Sequence, residues 1–468
     1  MGEIAFLPAT ELLELYRSRE LSPVEATEAA LQQIERHDPR VNAYCLVDAD
    51  GALNSARESE GRYGRGEPLG KLDGVPTSIK DVFLTRGWPT LRGSRAVNPD
   101  QAWTEDAPVT ARLREHGAVL LGKTTTPELG WKGVTDSPAT GITRNPWDPN
   151  LTPGGSSGGS AAAIVLGMGR LTVGTDGGGS IRIPAAFSGL FGLKPTFGRV
   201  PVWPVNPYGT LSHSGPMAST VADAALMLDV ISEPDARDAA ALPPENVSYL
   251  EEIEGGVEGL RIAYSPDFGY VDVDPEVAAI AENAAAAFEE LGARVEAVDP
   301  GFEDPIDIFR VHWCAAVANA LSPYDEEARE VMDPGLVELA EEGAGYTALE
   351  YLKAAGRRAE LGVRMSEFHQ DYDLLLSPAL PIPAFGAGRE APENWLAEKW
   401  TSWTPFTYPF NLTQQPAASV PAGFTEAGLP VGLQVVGGRY RDALVLRAAH
   451  VYQKAHPFTD RRPGWIRQ

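Results

Sequence analysis

The chain is short of the features that mark extracellular scaffolds, membrane proteins and nucleic-acid binders. Only two cysteines, Cys45 and Cys314, occur in 468 residues. A chain this long buries enough apolar surface to fold without staples, so no disulfide framework is expected, and two thiols fit a reducing compartment. No uninterrupted apolar run approaches the roughly 20 residues of a membrane span. The N-terminus, Met1-Gly2-Glu3-Ile4-Ala5-Phe6-Leu7, lacks the basic segment of a secretory signal. Positive charge is also scarce, with 39 Lys and Arg against 64 Asp and Glu and a formal net charge of −25. Such a surface repels phosphates, which argues against a polyanion as partner. The expectation is a cytoplasmic protein with no nucleic-acid and no membrane partner; a homodimer is left open.

What is present alternates between strand-like and helix-like segments. Ser22-Pro23-Val24-Glu25 is a capping box with proline at the first helical position, and the apolar spacing after it predicts a helix up to the break at Asp38-Pro39. Short apolar runs predict strands at Val75 to Ile79, Ala118 to Gly122, Leu171 to Thr175, Leu260 to Tyr264, Tyr372 to Leu376, Ala417 to Val420 and Val431 to Val436. Helical patterns, such as Pro108 to His116 and Val277 to Leu291, separate them. Alternation without a polar linker predicts one α/β domain over residues 1–468, with a large sheet between helices. Within it, 1–65 reads as N-terminal helices, 66–235 as a motif-bearing core, and 236–468 as the rest of the sheet with a helical subregion. Pro378 to Pro409 is an irregular stretch rich in Pro, Trp and Tyr, which suits a pocket wall or a loop packed onto the body.

Two glycine–serine segments stand out: Gly154-Gly155-Ser156-Ser157-Gly158-Gly159-Ser160, and Gly174-Thr175-Asp176-Gly177-Gly178-Gly179-Ser180-Ile181-Arg182. A flexible linker is disfavoured because no composition break surrounds them. A phosphate loop would need a Gly-Lys-Ser/Thr ending, which neither has. The first matches G-x-S-x-G, but a nucleophile elbow follows a strand and Asn145-Pro146-Trp147-Asp148-Pro149 cannot be a central one. The fourth reading takes the segments together. Three glycines before Ser180 let several backbone N–H groups aim at one point, as an oxyanion hole requires, beside a nucleophilic hydroxyl.

A serine needs a base. His213 sits in a loop and is one candidate. Lys80 is the other, at the end of the strand running into Asp73-Gly74-Val75-Pro76-Thr77-Ser78-Ile79-Lys80-Asp81, a common address for catalytic groups in α/β proteins. Burial would lower its pKa and make it a base. Side chains alternate along a strand, so Asp81 need not pair with Lys80.

These residues resemble a known family. Gly74-Val75-Pro76 with Lys80-Asp81, then Gly154 to Ser160, then Gly174 to Pro184, are similar to the amidase signature hydrolases, as is the 24-residue separation of Ser156 and Ser180. Asp373-Leu374-Leu375-Leu376-Ser377-Pro378, Val420-Pro421-Ala422-Gly423 and Gly428 to Gln434 extend the resemblance to nearly the whole chain. It implies a single α/β domain with a mixed sheet. It also implies a triad: Ser180 as nucleophile, Ser156 as a relay preceded by a cis peptide bond, and Lys80 as the proton acceptor. The implied oxyanion donors are the N–H groups of Gly177, Gly178, Gly179 and Ser180, with Asp176 and Arg182 bracing the loop as an ion pair. No metal and no organic cofactor are implied.

Gly130, Trp131, Trp203 and Tyr208 are candidates for a pocket taking apolar or aromatic groups, Trp131 because it aligns with an acyl-pocket wall. The expected substrate is a small amide or anilide, with esters and carbamates (urethanes) as further possibilities. Two rivals remain. The glutaminase component of tRNA-dependent amidotransferases, their A subunit, shares Thr143-Arg144-Asn145-Pro146-Trp147-Asp148, but this chain departs from its pattern across Val200 to Pro216. A non-catalytic amide binder is the other, although Lys80 and both serines are all retained.

Overall fold

A computed structural model describes residues 3–245, 247–395, 397–458 and 461–467. Its strands in chain order are β1 (Tyr44–Val47), β2 (Pro76–Lys80), β3 (Val119–Thr124), β4 (Asp136–Ser137), β5 (Gly141–Ile142), β6 (Leu171–Asp176), β7 (Phe191–Lys194), β8 (His213–Ala218), β9 (Arg261–Tyr264), β10 (Arg294–Ala297), β11 (Leu374–Pro378), β12 (Ala417–Phe424) and β13 (Pro430–Gly437). β4 and β5 pair only with each other, and the remaining strands form one sheet of eleven in the order β1-β3-β2-β6-β8-β7-β12-β13-β11-β9-β10. The sheet is mixed. β3, β2 and β6 run parallel, as do β11, β9 and β10, and the middle of the sheet is antiparallel.

Both faces are covered, which is why the strands read as continuous apolar runs rather than alternating ones. On β11, Leu374 and Leu376 face one core while Leu375 faces the other. On β13, Val435 and Val436 divide in the same way. Each such side chain, fully buried, contributes about 1.5–3 kcal/mol. The first core lies under the helices Val221–Ile231, Pro275–Glu290 and Asp442–Ala455. The second is aromatic, holding Phe309 and Trp313 of the helix Ile306–Leu321 together with Trp400, Trp403 and Tyr408. The irregular stretch 378–409 is therefore packing material: Trp400, Trp403 and Tyr408 are buried in that core.

The expected single α/β domain with a large mixed sheet is what the chain forms. Several element ends differ by one to four residues, and one of them has a clear local cause. The helix capped by Ser22 runs through Asp38-Pro39 to Val41. Pro39 lies in its last turn, where a missing N–H forgoes a single bond. Asn42, left-handed at φ 54°, ends the helix, and the Asp38 carboxylate accepts from Ala43 N and Tyr44 N beyond it.

Candidate active site

The sheet register brings the motifs together. β2 and β6 are parallel neighbours, with Thr77 beside Leu171 and Ile79 beside Val173. Their C-terminal ends therefore emerge side by side, placing Lys80 next to Thr175 and Asp176. The glycine–serine segment 154–160 lies across these ends and enters the helix Gly158–Val165. The peptide bond Gly155–Ser156 is cis.

Lys80 is fully buried. Its Nζ lies 2.6 Å from Ser156 Oγ, 3.0 Å from Ser157 Oγ and 2.8 Å from Thr175 Oγ1. Burial holds this amine well below the ordinary lysine range, and the Asp176 carboxylate opposes the shift without cancelling it. Ser180 is buried at the turn after β6, and Ser156 and Ser180 line the same cavity. No hydrogen bond joins these two hydroxyls among the described residues; such contacts often close only around a substrate.

The turn 177–180 is built around one ion pair. Arg182 donates from Nη2 to Asp176 Oδ1 (2.9 Å) and from Nε to Asp176 Oδ2 (3.0 Å), and both side chains are fully buried. Burial pushes the Asp176 carboxyl up, but the guanidinium fork overcomes it and holds the group well below the usual carboxylate range. Arg182 further donates to Thr407 O (2.9 Å), Gln434 Oε1 (2.7 Å) and Asn411 Oδ1 (2.7 Å). Gly179 N donates to Asp176 Oδ1 at 2.8 Å, so it faces the brace. Among the described residues, the N–H groups of Gly177, Gly178 and Ser180 have no protein acceptor. The glycines are required by close approach. A Cβ at Gly177 would stand 2.9 Å from the Trp313 ring, and one at Gly178 would stand 2.7 Å from both Phe309 and Trp400.

A cavity of about 560 Å³ opens above these groups. Of the four expected pocket residues, Gly130, Trp203 and Tyr208 line it and Trp131 does not. The backbone turns left-handed at Leu129 (φ 52°) and Gly130 (φ 74°), and Trp131 is buried in the aromatic core with Nε1 donating to Asp333. Gly130 lies close to Ser156, and a Cβ there would sit 3.3 Å from Ser156 Oγ. Tyr208 stacks on Trp313 with centroids 4.6 Å apart and donates to Leu129 O.

Trp313 is not among the sequence candidates, because helical periodicity marks it only as buried. Arg92 is also absent from them; it lies outside every recognised motif. His213 does not line this cavity: its Nδ1 lies 2.8 Å from Leu211 O, and burial lowers its pKa well below the usual value. Asp81 pairs with Lys123 at 2.8 Å rather than with Lys80. Among the described residues no group of His, Cys, Asp and Glu is arranged to hold a metal ion, and no helix is long and apolar enough to cross a membrane.

Comparison with known proteins adds independent findings. The family model described as Amidase matches residues 25–446. An acylamidase of Rhodococcus erythropolis is 40% identical over 98% of this chain and 97% of its own. The A subunit of the glutamyl-tRNA(Gln) amidotransferase of Myxococcus xanthus is 38% identical over 97% of this chain and 98% of its own. A bacterial aryl acylamidase of the amidase signature family superimposes with a TM-score of 0.90 at 33% identity, covering 97% of each chain. A 6-aminohexanoate cyclic dimer hydrolase, solved with its substrate, gives 0.88 at 30% identity over 99% of each. Sheet, motifs and relatives agree: the chain belongs to the amidase signature family and is an amide-hydrolysing enzyme.

Proposed function

We propose that this enzyme is a stand-alone amidase working through an acyl-enzyme, with Ser180 as nucleophile, Ser156 as relay and Lys80 as base. The observation that carries the reading is the environment of Lys80. A neutral amine has two N–H donors and one lone pair. Ser157 gives its own hydrogen to Thr175 O, so it accepts from Lys80, and Thr175 Oγ1 takes the second N–H. The lone pair is left for the Ser156 hydroxyl at 2.6 Å, which is the direction a relay needs.

Ser180 attacks the amide carbonyl while its proton passes through Ser156 to Lys80. Negative charge on the tetrahedral intermediate meets the N–H groups of Gly177, Gly178 and Ser180, with Gly179 and the Asp176–Arg182 pair fixing the turn. The return path protonates the leaving amine, and water then cleaves the acyl-enzyme. No metal or organic cofactor has a part in this scheme.

Trp203, Tyr208 and Trp313 in the cavity wall support aromatic or apolar amides and anilides as substrates, with esters and carbamates as weaker or parallel ones. The same wall argues against the glutaminase reading, since the segment Val202 to Tyr208 lines the cavity with bulk where the amidotransferase pattern differs. Unpaired Cys45 and Cys314 support a cytoplasmic setting. A hydrolysis panel of anilides, aliphatic amides, esters and carbamates tests the substrate range, and turnover of short polar amides alone would count against it. Covalent labelling by a fluorophosphonate, lost in Ser180→Ala, tests the nucleophile and separates an enzyme from a binder.

A further inference from the structure

Among the described residues that line the cavity, Arg92 is the one with an ordinarily charged side chain. Among the described residues its guanidinium makes no hydrogen bond and no ion pair, although the chain carries 64 acidic residues that could have supplied a partner. Three other buried or half-buried arginines each have a carboxylate partner: Arg62 has Asp73, Arg182 has Asp176 and Arg199 has Glu245. Arg92, beside the cavity, contrasts with these three.

The backbone fixes where Arg92 starts. Its φ is 56°, a left-handed conformation uncommon for a side-chain-bearing residue, and Gly93 follows at φ 66°. Arg92 O accepts from Leu129 N at 2.8 Å, and Ser94 donates to Glu128, so this turn is tied to the segment carrying Gly130 close to Ser156. A Cβ at Gly93 would meet Thr126 O at 2.6 Å, so the turn is seated against the body. Strain kept at such a position points to function rather than to packing.

We propose that Arg92 reads a carboxylate on the substrate, so that the preferred amides carry an anionic end on their acyl or amine fragment. This rests on the hydrolytic reading above and narrows its substrate class. The chemistry follows from the guanidinium, a planar fork whose best small partner is a carboxylate accepting two parallel N–H bonds. The rest of the wall, with Phe83, Leu129, Trp203, Tyr208 and Trp313, suits the apolar body of the same molecule.

The test uses matched pairs. On the amine side, 4-acetamidobenzoate is compared with 4-methylacetanilide; on the acyl side, monoanilides of dicarboxylic acids are compared with anilides of straight-chain monocarboxylic acids of equal length. In at least one arm the carboxylate member should show a kcat/KM higher by about ten-fold or more, carried by KM. Arg92→Gln should bring that ratio to about one, and Arg92→Lys should restore part of it. A ratio at or below one in both arms, or a preference that survives Arg92→Gln, overturns the proposal. Calorimetric binding of the same pairs to Ser180→Ala protein should show the same carboxylate preference without turnover. Failure of the wild-type protein to hydrolyse any compound, with carboxylate-selective binding intact, would instead count against the hydrolytic reading.

Discussion

Lys80 and Lys123 stand on adjacent parallel strands, β2 and β3, and both are fully buried. Their surroundings differ. Lys123 meets the Asp81 carboxylate at 2.8 Å, with Thr90 Oγ1 and the Phe83 and Pro89 carbonyls around it. Among the described residues, Lys80 hydrogen-bonds only to hydroxyls. Burial lowers the pKa of both, but Asp81 pulls Lys123 back while Lys80 is left well below its ordinary value. A carboxylate ties a buried lysine into the structure; hydroxyls leave its amine depressed, as the proposed base requires.

The sharpest way to break this contrast is to remove each amine. On the proposed mechanism Lys80→Met should lower kcat/KM by about 10³-fold or more, since among the described residues no other titratable side chain hydrogen-bonds to Ser156. Lys123→Met should lower it less than about ten-fold, and steady-state kinetics on one anilide decides between them. Next in size is stability. Lys123→Met strands the Asp81 carboxylate in the interior and should cost about 3–5 kcal/mol in denaturant unfolding. Lys80→Met strands no charge, so an equal loss there would erase the distinction.

A smaller effect comes from the hydroxyls. Ser157→Ala takes away one acceptor of Lys80 and should lower kcat about ten-fold, with KM nearly unmoved, because orientation of the lone pair is what suffers. The smallest concerns pH. A depressed lysine pKa means that the native state binds fewer protons than the unfolded chain between the folded value and about 10.4. In that window stability falls as pH falls, by at most about 1.4 kcal/mol per pH unit for one group. Lys80→Met should flatten that slope more than Lys123→Met does. Activity should rise with pH as Lys80 deprotonates and level off below the ordinary lysine range; a limb centred near 10.4 would put Lys80 on the same footing as a surface amine.

Much of this site is legible in the sequence because it is local in the chain. Lys80 at a strand end, the two serines and the three glycines each announce themselves within ten residues, whereas the parallel pairing of β2 and β6 that joins them comes from the sheet order. Other parts depend on contacts across the chain. Strand alternation lets Asp81 face away from Lys80, yet its partner Lys123 cannot be read from the strand that carries it. Trp131 fails as a pocket wall because two left-handed residues before it, Leu129 and Gly130, reverse the chain. Trp313 reaches the cavity from a helix more than 100 residues beyond Ser180, and nothing local separates a ring that packs from a ring that lines. Strands β1, β7, β8 and β10 are also absent from the sequence reading; they are no shorter than β9, which that reading includes, but β7, β8 and β10 have their apolar residues broken up by glycine, proline or charged residues.

The reach of Arg182 also bears on how the protein is made. Its guanidinium is completed by Thr407, Asn411 and Gln434, which leave the ribosome well over 200 residues after the turn they support. A nascent chain that has not yet delivered β13 holds Ser180, the proposed nucleophile, on an unfinished mount. Hydrolytic competence should therefore be among the last properties the growing polypeptide acquires.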